Sequence, residues 1–124
     1  MNIESPDFGS ITIDGVEYDH DVVVFPTRIE KRKKWITKNK HGTSHRFTRE
    51  EMKEYLREID TDRMKVVVVG TGHYGKLHLL KETEELLKEK DIKAIRARTP
   101  EAARIFIQRD EPLNQKFGIF HITC

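Results

Sequence analysis

VVVVGTGHYGKL, residues 66–77, is the stretch on which the reading of this chain turns. Four consecutive valines give a strand buried on both faces. Gly70, Thr71, Gly72, His73, Tyr74 and Gly75 follow, and a leucine-rich helical pattern then runs over residues 77–90, with Leu80, Leu86 and Leu87 on its inner side. Strand, glycine-rich turn and helix make half of an α/β unit, and residues 92–95 supply the next strand. Strands 66–69 and 92–95 are expected to lie parallel and to be joined by a right-handed crossover.

The same stretch also reads G-x-G-x-x-G, the spacing associated with dinucleotide binding. The acid that should meet a ribose about twenty residues later is missing; Arg96 and Arg98 stand there, which would suit a 2′-phosphate better. Two mononucleotide halves are required, and one αβαβ stretch is present. Gly75 falls in the loop rather than in the helix, and His73 and Tyr74 would crowd a pyrophosphate. The expectation is therefore a strand-to-helix turn, with no nucleotide and no other cofactor. Glycine is simply the residue that such a turn accommodates with least strain.

One inference outlives the nucleotide. Helices beginning near Thr48, Leu77 and Thr99 should all start at the carboxyl edge of strands 66–69 and 92–95. Helix N-termini carry free N–H groups and partial positive charge. Lys40, His41, His45, Arg46, His73, Lys76 and Arg98 belong to the loops there. A small anion is the natural guest. The candidate ligand residues are Gly70, Thr71, Gly72, His73, Tyr74 and Gly75, together with His45, Arg98 and Thr99, with the Gly72 N–H open to solvent or anion.

Upstream, Ile11 and Ile13 alternate with polar residues, Asp14-Gly15 makes a turn, and Val16 and Tyr18 resume the alternation, as in a β-hairpin. Residues 21–25 are a third strand, stopped by Pro26. Residues 28–40 are basic, with Trp35 and Ile36 among them, and read as an extended edge around 33–37. Lysines on an edge block strand-to-strand aggregation; a nucleic-acid patch with Trp35 as stacking platform is the less favoured reading. Thr48 and Glu51 form a capping box, Phe47 and Met52 a hydrophobic staple, and Met52, Tyr55, Leu56 and Ile59 one helical face. Thr99 reads as the cap of the next helix, with Pro100 in its first turn and Ala102, Ala103, Phe106 and Ile107 on its apolar face. Residues 117–122 are the last strand.

Length and composition bound the rest. The 124 residues suit one domain, 1–124, with a thin apolar supply, and a net charge of +2 gives no overall case for nucleic acid or membrane. The abundance of Lys and Glu resembles that of proteins from hot environments. Cys124, the single cysteine, points to a reducing, cytoplasmic setting, and no run is long enough to span a membrane. His41 and His45, with His73, lack a defined metal-ligand spacing, so no metal is expected. Cys124 and His121 fall on opposite faces of a strand, and Ser44 beside His45 is mere adjacency. No catalytic residue stands out.

Gly42-Thr43-Ser44-His45, the 70–75 loop and His121-Ile122-Thr123-Cys124, in that order and spacing, give the chain a resemblance to the Mth-type domain family. The resemblance runs from Phe8-Gly9-Ser10 and Gly15-Val16-Glu17-Tyr18 to the last residue and is closest to the archaeal branch. It implies a three-layer α/β fold, a central mixed sheet flanked by helices with an N-terminal β-hairpin layer. It implies a last strand antiparallel to its neighbours, which would put Cys124 at the opposite edge from Gly72. Eukaryotic relatives include a mitochondrial complex I assembly factor and an adipogenesis-associated protein. On that basis the expected role is a non-enzymatic binding or assembly module acting through protein partners or self-association. The alternative is an enzyme or sensor for a small anion at the 70–75 loop.

Overall fold

The computed structural model describes residues 1–4 and 6–124. Its order is β1 (Ile11–Ile13), β2 (Val16–Tyr18), β3 (Val22–Val24), β4 (Ile29–Lys31), α1 (Lys34–His41), β5 (Arg46–Phe47), α2 (Arg49–Leu56), β6 (Val66–Thr71), β7 (His78–Leu79), α3 (Lys81–Glu89), β8 (Lys93–Ala97), α4 (Thr99–Gln108), a 3₁₀ turn at Leu113–Gln115 and β9 (Lys116–His121). The central sheet runs β4-β3-β9-β6-β8. β6 pairs in parallel with both β8 and β9, while β3 pairs antiparallel with β9 and β4, so the sheet is mixed. β1 and β2 form a separate antiparallel hairpin, and β5 and β7 a short parallel pair.

Alternation along the central strands divides the core in two. Val67, Val69, Phe117 and Ile119 face Met52, Tyr55, Leu86 and Leu87 of α2 and α3. Val66, Val68 and Phe120 face Ala102, Ala103 and Phe106 of α4 and Ile11 and Ile13 of the hairpin. The result is the expected three-layer α/β fold: α2 and α3 with α1 packed against α2, the mixed sheet, then α4 beside the hairpin. Among the described residues no helix is long and apolar enough to cross a membrane.

Several local expectations are corrected. Residues 34–41 are helical, not an extended edge. Arg32 turns inward and leaves β4, and Gly42 in the left-handed region (φ +73°) ends the helix, its N–H reaching the Lys38 carbonyl. Helix α3 starts at Lys81 rather than Leu77, because His78 and Leu79 pair with Arg46 and Phe47 first. Thr99 is the first residue of α4, not its cap; Arg98 holds the cap position without a side-chain hydrogen bond. The last strand is antiparallel only to β3, so Cys124 emerges at the same edge as Gly72.

Candidate functional site at the carboxyl edge of the sheet

Strand β6 delivers Gly70 and Thr71 to the edge as its last residues, and the turn proper begins at Gly72. The turn's backbone donors do not face solvent. Gly72 N–H donates to Thr99 Oγ1 at 2.9 Å. His73 N–H donates to the Thr123 carbonyl at 2.8 Å, and the Tyr74 and Lys76 N–H groups both donate to the backbone oxygen of Cys124 at 3.1 Å. Gly75 and Leu77 close the turn on Gly72 and Thr71. The glycine loop does cradle oxygen atoms, but they belong to the chain's own residues 123 and 124. Gly72, at φ +97°, is glycine for this reason: a Cβ there would lie 2.2 Å from the Cys124 carbonyl carbon. The expected open N–H at Gly72 is thereby corrected.

Below the loop lies a buried polar cluster. Arg32 is its hub. Its Nε and Nη2 reach the two Glu51 carboxylate oxygens at 2.8 and 3.0 Å, Nη1 reaches Asp21 Oδ2 at 3.0 Å, and Nη2 also reaches the Ser44 carbonyl. Glu51 further accepts from Thr37 Oγ1 and the Tyr55 hydroxyl, both at 2.6 Å. Asp21 accepts from the Ile122 N–H at 2.9 Å and from His121 Nδ1 at 2.8 Å. An ionised carboxylate only accepts, so Nδ1 carries the proton. Burial opposes ionisation of Asp21, but the His121 hydrogen bond and charge, Arg32 and the Ile122 amide outweigh it and bring the carboxyl down to about 2. Burial, followed by the Glu51 charge, pushes the Tyr55 phenol upward.

This cluster ties β3, β4, α1, α2 and β9 together at one edge. It also modifies the capping box. Thr48 Oγ1 accepts from the Glu51 N–H as expected, at 3.2 Å, but the Glu51 carboxylate is diverted to Arg32. Thr37 Oγ1 takes the Thr48 N–H in its place. The Asp21–His121 pair has the polarity of a catalytic dyad, yet His121 is only 3% exposed and its Nε2 faces Thr123 Oγ1 at 3.4 Å. It works as an internal hydrogen-bonded staple.

The structure brings His45, His73, Arg98 and Thr99 to this edge with the 70–75 loop. The His45 ring meets His121 edge-on at 5.1 Å between centroids. Burial, then the positive potential of His121, Arg32 and Lys76, lowers the His45 pKa. The Thr99 hydroxyl is buried and links the Gly72 N–H to the His121 carbonyl. Arg98 lies along the loop, its Nε 3.8 Å from where a Gly75 Cβ would sit. Tyr74 is 63% exposed and its ring lies 5.9 Å from Phe8, itself 55% exposed, and the His73 ring lies 5.7 Å from Phe8. Sequence reasoning missed Asp21, Arg32, Glu51 and Phe8. Asp21 and Arg32 flank a β-hairpin, and only the antiparallel return of β4 sets them side by side. His41 is the last residue of α1 rather than part of a loop, and no metal-binding group of His, Cys, Asp or Glu occurs among the described residues.

Residues 3–108 match a family described as protein of unknown function (DUF498/DUF598). The crystal structure of conserved hypothetical protein PH1505 from Pyrococcus horikoshii OT3 is similar over 100% of both chains, at 44% identity and a TM-score of 0.86. A structure called MT938 is similar over 98% of this chain and 97% of its own, at 28% identity and a TM-score of 0.78. An outer membrane protein from Bartonella henselae shares the fold, at 20% identity over 98% of this chain and 94% of its own, with a TM-score of 0.72. No curated protein matches the chain.

Proposed function

This chain belongs to the DUF498/DUF598 family of proteins of unknown function, and from that premise we propose that it is a cytoplasmic, non-enzymatic binding module. Its docking face is the carboxyl edge, and its partner is a protein with an acidic surface. One observation carries the reading. Every arginine but Arg46 and Arg98 has a carboxylate within 4.0 Å among the described residues, and Arg98 lies along the loop that presents the exposed Tyr74 beside the exposed Phe8. Aromatic side chains and arginine are the residues that concentrate binding energy in protein interfaces. The internally bonded loop holds Tyr74 in place before any partner arrives, which lowers the entropic cost of docking. The assembly role that the family resemblance implies for eukaryotic relatives agrees with such a face.

The test is a comparison. Partners captured by the parent protein are re-expressed, purified and titrated against the parent, Tyr74→Ala with Arg98→Ala, and the distal Lys93→Ala. An acidic partner whose affinity falls roughly a hundredfold with the double variant and is unchanged by Lys93→Ala supports the reading. Partners indifferent to Tyr74 and Arg98 overturn it. Phosphate titration is the companion measurement. Salt-sensitive amide shifts at residues 73–76 and 98–102 would transfer the edge to a small-anion ligand held by the side chains of His73, Lys76 and Arg98.

A further inference from the structure

The basic segment 28–40 is left unused by that edge. Its sequence reads as an edge strand whose lysines prevent strand pairing. The structure removes that role from most of it. Only Lys31 ends the edge strand β4; Lys33 and Lys34 through Lys40 lie at and within α1. Trp35, the only tryptophan, is 61% exposed on that helix. Lys34 and Lys38 are one helical turn apart, and Trp35 and Lys38 are three residues apart, so the three crowd one side of α1. Lys31, Lys33, Lys34 and Lys38 have no carboxylate within 4.0 Å among the described residues, whereas Lys40 is paired with Glu50. Asp19 and Asp21 line a cavity of about 290 Å³ with Lys31 and Lys34, but Asp21 is already engaged by Arg32 and His121.

We infer that Trp35 and the lysines around it form a binding surface for single-stranded nucleic acid, a base stacking on the indole and phosphates lying against Lys31, Lys34 and Lys38. Base–aromatic stacking beside a cationic track is the general chemistry of sequence-tolerant single-strand binding. Two competing partners fit less well. A lipid surface needs an apolar helix face, and the other exposed residues of α1 are Lys34, Lys38, Asn39 and Lys40. A protein interface needs a contiguous apolar centre, and Trp35 is the one exposed apolar residue of α1, with the half-buried Ile36 next to it in sequence. A single exposed ring among uncompensated cations matches a base and its flanking phosphates. The inference is independent of the carboxyl-edge reading, because it uses none of that edge's exposed residues.

The sole tryptophan makes the test direct. Twelve-nucleotide oligo-dT and oligo-U, titrated at low salt, should quench the Trp35 fluorescence saturably. With three or four phosphates neutralised, the logarithm of affinity should fall against log salt with a slope of about −2 to −3, roughly 20- to 50-fold between 50 and 200 mM. Lys34→Ala and Lys38→Ala should each flatten that slope by about 0.7. Trp35→Ala, followed by anisotropy of a labelled oligonucleotide, should weaken binding at least about fivefold, with Trp35→Phe recovering part of the loss. Tyr74→Ala with Arg98→Ala should leave it unchanged. Absence of quenching, equal affinity in Trp35→Ala, or equal quenching by polyglutamate or by anionic phospholipid vesicles overturns the inference.

Discussion

Gly72→Ala should be far more damaging than Gly75→Ala, although both glycines have positive φ, +97° and +69°. Alanine in that region costs roughly 1–2 kcal/mol of backbone strain, offset by about 0.4–1 kcal/mol from a less flexible unfolded chain. At Gly75 nothing is added to this, since its Cβ would meet no atom closer than 3.8 Å. The expected loss there is about 1 kcal/mol. At Gly72 the Cβ would stand 2.2 Å from the Cys124 carbonyl carbon, 2.6 Å from its oxygen and 2.8 Å from His121 Cδ2. Backbone cannot yield as a flexible side chain can, so residues 123 and 124 must leave the loop. The N–H groups of His73, Tyr74 and Lys76 then lose their acceptors. At about 1 kcal/mol for each hydrogen bond, the total loss reaches roughly 4 kcal/mol. Urea unfolding measures both variants, with an unchanged m-value guarding against altered two-state behaviour. A second arm removes residues 123–124 from each background. The truncation should be costly in the parent and nearly silent in Gly72→Ala, because the contact is already gone. Equal losses for the two glycine variants, or additive truncation, would refute the claim that the loop is built around the chain's own last residues.

Two further outcomes follow from the buried cluster. Asp21 has a folded pKa of about 2 against an ordinary 3.8, so its contribution is present above about pH 3.8 and fades as pH falls towards 2. The loss should amount to about 2 kcal/mol in denaturant titrations across that window, and Asp21→Asn should abolish this segment of the pH dependence. Thr48→Ala should lower stability by about 1–2 kcal/mol, towards the upper end of N-cap losses. The hydroxyl is buried against Thr37 as well as capping Glu51, so an unchanged unfolding midpoint would show that neither contact matters.

The layered architecture was legible because it is written in periodicity. The four valines at 66–69, the helical stripe from Met52 and the apolar face of Ala102, Ala103 and Phe106 each bury in only one way. The Thr48 cap was equally local: an N-cap oxygen and its N–H partner lie three residues apart. The expectations that failed all depended on distant partners. Residues 77–80 have helical sequence, but pairing with Arg46 and Phe47 was available and held two of them extended. Residues 33–37 look extended until Arg32 is drawn inward by Asp21 and Glu51, 11 and 19 positions away.

The glycine loop divides the two levels most clearly. Its spacing determined that the chain must turn sharply after β6 and that oxygen atoms would gather on its N–H groups. Which oxygens they are was decided by strand direction alone. A strand's hydrophobic alternation is the same read forwards or backwards, so nothing in 116–121 told whether it ran with β6 or against it. Running with it, β9 carries Thr123 and Cys124 to the loop that a phosphate would otherwise have entered, a hundred residues from Asp21 and fifty from Gly72, where only the folded chain makes them neighbours.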